Sequence, residues 1–296
     1  MRYTNRHGIN EPLATALRFE DKKFDPKRLS VTKLISHPHM VVLQERHDDE
    51  IVTDISGNLW MYLGRMAHKV AEDVASEDDL TEEKLTLPVV GIDVTVVGIP
   101  DQYKDETITD YKLTGTYSFI MGLKLDWVQQ LNLYALLLRE AGFTVNHLKI
   151  TMILRDWNQT KSETSSGYPV CPIQTVIVPL WGHQEQMDFL CAKVNDIIKY
   201  RDADDNTYDP CTQEDRWERG ETFAVIKKGN KRAKRVFKVS DSSGGAPVAR
   251  ANAEVYVRTC GEGFIVEHRQ GEPIRCQRNI CGVRDWCSFW KNREEA

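Results

Sequence analysis

The chain has 296 residues, 41% hydrophobic and 28% charged, with a formal net charge of -5. That length and apolar content suffice for a sizeable core, while the acidic balance excludes a uniformly basic coat, so any nucleic-acid surface has to be a local patch. No stretch near the N-terminus has a signal-peptide core and none elsewhere approaches the roughly 18 apolar residues of a membrane span, so a cytoplasmic protein without a membrane partner is expected. Seven cysteines, an odd number, favour thiols or metal ligands over a disulfide framework.

In chain order, "LSVTKLISHPHMVVLQERH" (Leu29 to His47) opens on a Ser30 or Thr32 cap signal and contains Pro38, which predicts a helix, a break and a second short helix. "GNLWMYLGRMAHKVAEDVA" has apolar residues at helical spacing, and it places His68 and Glu72, four apart, on one face. From Thr86, "TLPVVGIDVTVVGIPDQY" and "ETITDYKLT" predict strands of a meander joined by short turns. One long helix is expected over about Ser118 to Ala141, with Gly142 as its end signal. Two further strands, in "VNHLKITMILRDW" and "IQTVIVPLW", precede a helix in "QEQMDFLCAKVNDIIKYRDA". Composition then shifts, and a boundary at about residue 205 divides a 1–205 core from a basic, cysteine-rich 206–296 module.

The chemistry centres on "GIPDQYKDETITDYKLTG". Asp110 and Lys112 are two apart on a strand, so both project from one face, about 7 Å apart at the backbone. A short turn brings Asp101 beside Asp110, and two carboxylates forced together need a proton or a cation between them. A hard divalent ion suits that position, and a lysine next to it can offset charge on a phosphate. Taken alone, Asp-x-Lys is more simply an exposed strand pair. Gln130 and Tyr134, four apart on the next helix, are able to face the same strand.

In chain order, "GRMAHKV", "GIPDQY", "TDYK" and "QLNLY" resemble the successive motifs of the PD-(D/E)XK nucleases, and among them the RecB-like group that includes AddB-type and CRISPR-associated exonucleases. The resemblance spans about Leu29 to Trp157 and implies an α/β, restriction-endonuclease-like core, a central mixed sheet flanked by helices, with the cysteine-rich region as an appendage. It implies that His68, Asp101, Asp110 and the Tyr111 carbonyl hold Mg2+ or Mn2+, that Lys112 is catalytic, and that Gln130 and Tyr134 position site and substrate. The implied activity is a metal-dependent deoxyribonuclease, an exonuclease on single strands or ends, with a helicase or recombination partner as an option. A non-catalytic nucleic-acid-binding protein is the competing reading. Asp93, in "GIDV", rivals Asp101 for the first carboxylate.

Cys276, Cys281 and Cys287 lie close together in "RCQRNICGVRDWCSFW" and need one further ligand for a tetrahedral site. Cys211, beside a proline in a polar loop, is the first choice and Cys260 the second. Several RecB-like nucleases carry an iron–sulfur cluster held by one distant cysteine and three near the C-terminus. Their distant cysteine usually precedes the nuclease motifs, whereas this chain has none before Cys171, so a 4Fe-4S cluster and Zn2+ both stay open. "KKGNKRAKRVF" gathers Lys227, Lys228, Lys231, Arg232, Lys234 and Arg235, a run that is either a solvated face or a DNA-backbone-tracking patch.

Overall fold

Ser30 ends strand β1 (Arg28–Ser30) and starts helix α1 (Val31–Leu34), where its side chain accepts a hydrogen bond from the Lys33 amide. Pro38 is the first residue of α2 (Pro38–Arg46), the position at which its missing N–H costs nothing. The computed structural model describes residues 1–18, 24–76, 79–205 and 209–294. Its chain divides into two units, Met1–Tyr208 and Asp209–Ala296. Both are built from helices and sheets, so the fold is mixed α/β. Among the described residues, no helix is long and apolar enough to cross a membrane.

In the first unit, α3 (Leu59–Asp73) precedes strands β2 (Leu80–Thr81), β3 (Leu85–Pro88), β4 (Thr95–Gly98), β5 (Gln102–Lys104) and β6 (Thr107–Thr114). The expected single meander is instead divided between two sheets. β4 lies between β1 and β3 in a three-stranded sheet, whereas β5 and β6 enter a five-stranded one. Pro100 lies between β4 and β5, and its lack of a donor interrupts ladder formation there. The chain therefore changes sheets at Ile99, Pro100 and Asp101.

The long helix expected over Ser118 to Ala141 is also two helices, α4 (Thr116–Ile120) and α5 (Leu125–Glu140). Gly122 takes a positive φ of 88° between them, a conformation that ends a helix and that glycine adopts at little cost. Asp156 anchors the start of α4 by accepting from the Thr116 amide at 2.6 Å and its hydroxyl at 2.9 Å. Helix α5 is apolar on nearly every side, and Leu131, Leu133, Ala135, Leu136 and Leu138 are fully buried, so it forms the middle of the core rather than its surface. It packs on β3, β4 and β6.

After α5, strands β7 (His147–Leu154) and β8 (Ile173–Val178) complete the larger sheet, in the order β8-β7-β6-β5-β2, and α6 (His183–Asp202) closes the unit. β6 and β7 are parallel, with Asp110 opposite Ile150, and the α4–α5 segment is the crossover such a pair requires. Within this packing Asn132 is fully buried but satisfied. Its side chain donates to the Val128 and Pro179 carbonyls and accepts from the Trp181 amide and Gln186.

The second unit contains β9 (Thr222–Lys227), β10 (Ala233–Lys238), α7 (Gly245–Arg258) and β11 (Phe264–Arg269). The strands form an antiparallel sheet in the order β10-β9-β11. Phe223, Val225, Ala249 and Ala253 are its buried core, joining the sheet to α7.

Candidate active site

β6 presents residues of one parity toward α5: Ile108 is fully buried, Asp110 is 1% exposed, and Lys112 reaches out to the helix. The Lys112 ammonium donates to Gln130 Oε1 at 2.9 Å and to Asp110 Oδ1 at 3.1 Å. Gln130 in turn donates its amide to the Tyr134 hydroxyl at 3.0 Å. Two residues of α5 thus orient the lysine, and the strand carboxylate supplies its counter-charge. Asp110 Oδ2 is buried without a hydrogen bond, although Lys112 Nζ lies 2.8 Å from it as an ion-pair partner. Burial raises the Asp110 carboxyl, against the lowering effect of Lys112.

Asp101 stands where the chain passes from one sheet to the other. Its Oδ2 accepts from the Tyr111 amide at 2.8 Å, and its Oδ1 is 3.4 Å from His68 Nδ1. Its carboxyl is pushed up to about 6, by burial first and by Asp110 second. His68, on α3, places Nε2 at 2.9 Å from the Tyr111 carbonyl, which fixes the ring between two elements. Asp93, the rival carboxylate, lies outside this cluster: it is exposed and pairs with Lys27 at 2.5 Å.

One further acid enters that spacing did not point to. Ligand atoms of His68, Glu82 and Asp101 all fall within 4.8 Å of one another. Glu82 follows β2 with a left-handed φ of 52°, and burial raises its carboxyl. The only sign of it in the sequence is a pair of glutamates in "LTEEKL", which is ordinary for a turn. Beside this trio is a void of about 10 Å³ lined by His68, Asp101, Gln102 and Tyr111 among others, room for one water or ion. Carboxylate oxygens, a carbonyl and an imidazole nitrogen form a donor set suited to a hard or borderline divalent ion. Asp110 Oδ2, paired with Lys112 but without a hydrogen bond, offers a further oxygen donor.

In the second unit the chain brings Cys211 to Cys276, Cys281 and Cys287. The Cys211 thiol is pushed up to about 12, by burial first and then by the charges of Cys287, Asp215, Cys281 and Cys276. Cys276 is pushed up to about 11, again by burial first, with Cys281 and Cys287 adding to it. Burial also raises Cys281, opposed by Arg275 and Arg284. Arginines surround the thiols. Arg216 donates to the Cys211 carbonyl, Arg284 to the Cys276 carbonyl at 3.1 Å, and Arg275 has a buried Nε without a hydrogen bond. The charges of Arg216 and Arg275 act on Cys276, and those of Arg275 and Arg284 on Cys281, so these arginines would offset the negative charge of a thiolate-ligated metal or cluster. Cys260 packs instead against the Phe223 and Val225 core.

The basic run lies on the hairpin of β9 and β10. Lys227, Lys228, Lys231, Arg232, Lys234 and Arg235 are all exposed, with the Lys234 ammonium 4.9 Å from the Phe264 ring centroid.

No protein-family model matches the chain, and no curated protein matches it. Solved structures do. One described as "Crystal structure of SSO0001" superposes with a TM-score of 0.43 at 16% identity, covering 62% of this chain and 80% of its own.

Proposed function

We propose that the protein is a metal-dependent deoxyribonuclease with a restriction-endonuclease-like core, acting on single strands or ends. The observation that carries this reading is the Lys112 ammonium held between Asp110 and Gln130, next to a cluster of His68, Asp101 and the Tyr111 carbonyl. Asp101, Asp110, His68 and the Tyr111 carbonyl would hold Mg2+ or Mn2+, with Glu82 within reach. Such an ion would supply Lewis acidity and activate water there. Lys112, fixed in direction by Gln130, offsets charge gathering on the phosphate oxygens. Tyr134 keeps its proton, since burial drives its hydroxyl well above the ordinary tyrosine range, and so continues to support Gln130 from behind.

The test uses purified protein with magnesium on strands labelled at the 5′ or the 3′ end. Cleavage that disappears in Asp110→Asn and Lys112→Met protein supports the reading; equal cleavage by parent and variants overturns it.

The four cysteines are assigned to a 4Fe-4S cluster or Zn2+ that ties together the loops of the second unit. Iron and zinc analysis after anaerobic purification separates the two. Finding neither in parent protein removes this assignment and leaves the nuclease assignment standing.

A further inference from the structure

The β9–β10 hairpin is unusual for an acidic chain. Its six exposed cations and Lys238, also exposed, form no ion pair with any carboxylate among the described residues. Elsewhere in the protein surface cations are commonly paired, as in Lys69 with Asp73 at 2.9 Å and Arg250 with Glu254 at 2.9 Å. Unpaired charge of one sign on a single hairpin is matched best by a polyanion.

Beside the hairpin, between β10 and α7, opens a cleft of about 500 Å³ whose walls include Arg235, Phe237, Lys238, Ser242, Asn252 and Tyr256, with one carboxylate, Asp241, against the two cations. Pockets of that size take one small ligand. The Arg235 guanidinium lies 4.9 Å from the Phe237 ring centroid and 5.0 Å from that of Tyr256. The rings meet edge to face, 5.8 Å apart. Phe237 packs against the buried core, so the rings stand on a rigid base. Ser242 and Asn252 add groups that hydrogen-bond in either sense. Stacking surface, cation and polar edge together suit a nucleobase with its phosphate, which an acidic peptide would use only in part. A duplex keeps its bases stacked inside, so the cleft favours an unpaired strand.

We propose that this cleft is a base-stacking subsite for single-stranded nucleic acid, with the hairpin cations following the phosphates to either side. The choice of nucleic acid as ligand rests on the nuclease reading; the stacking chemistry rests on the cleft alone. The test is fluorescence anisotropy of the full-length protein in EDTA, with a short oligothymidylate, an abasic strand of equal length and a blunt duplex as probes. The parent is expected to bind the thymidylate strand about tenfold more tightly than the abasic one, the scale of one stacked base. Tyr256→Leu and Arg235→Gln should each erase most of that difference. Lys231→Gln should weaken both strands alike and lower the salt slope by about one.

Equal binding of thymidylate and abasic strands by the parent overturns the proposal. So does unchanged discrimination in Arg235→Gln protein, or displacement of the strand by polyglutamate at equal charge concentration. Asp110→Asn protein leaves the cleft intact, so its cleavage assay judges the active-site reading separately from these binding measurements.

Discussion

Lys112 has two partners of different kinds: Asp110 balances its charge and Gln130 sets its direction. Such a pair is legible in sequence because strand periodicity alone puts residues two apart on one face. Glu82 is not legible in that way, since its place depends on its own left-handed conformation and on how α3 packs against β6. Glu82→Gln is expected to raise the magnesium concentration needed for half-maximal cleavage by about 10- to 100-fold. An unchanged magnesium titration would place Glu82 outside the ion's shell. Asp101 makes a prediction in pH. Its folded-state value of about 6 exceeds the ordinary 3.8, so the folded, metal-free protein binds more protons than the unfolded chain between those values. Stability contributed by the protonated carboxyl is present below the ordinary value and lost as pH rises through about 6. In EDTA, Asp101→Asn protein should therefore melt at a higher temperature than the parent at pH 8, and at a similar temperature at pH 4.

At the scale of elements, α5 and β4 meet at a glycine. A Cβ on Gly98 would overlap Leu137 Cδ1 and stand 3.0 Å from the Tyr134 ring, so Gly98→Ala should cost about 1–3 kcal/mol in urea unfolding through overpacking. Because Tyr134 braces Gln130, the same substitution should also lower cleavage of any nuclease activity, more than a stability loss alone would. Helix α5 was legible as an apolar run with a glycine stop, and Gly142 does take a positive φ of 91°. The break at Gly122 was not, because an isolated glycine inside a helical pattern is tolerated as often as it interrupts. The exchange of sheets at Pro100 was hidden for a related reason: valine-rich strands joined by glycine and proline read alike whether they extend one sheet or begin another.

For the molecule as a whole, the two units differ in what sustains them. The first is organised around an apolar helix, whereas the second buries one small cluster between its sheet and α7, Phe223, Val225, Ala249 and Ala253, and separately Ile274, Val283 and the side chains of Cys276, Cys281 and Cys287, where a bound metal or cluster would add its binding energy to folding. Sequence spacing drew Cys276, Cys281 and Cys287 together but left Cys211 and Cys260 as alternatives, which only the path of the intervening chain could separate. Cys276→Ser is expected to lose bound iron or zinc and to speed amide exchange across Asp209–Ala296, with protection of α5 unchanged. Unaltered exchange in the second unit would mean that the thiols share no ion. The place of Asp101, just ahead of β5, has a consequence of another kind. Asp101 precedes Gln102, which pairs with Thr109, and its Oδ2 is held by the Tyr111 amide, so the spacing of the two carboxylates is set by the β5–β6 hairpin. Magnesium demands a nearly ideal octahedron, so substitutions at Asp105 and Glu106, the left-handed residues that turn β5 into β6, should first appear as a change in metal preference toward manganese.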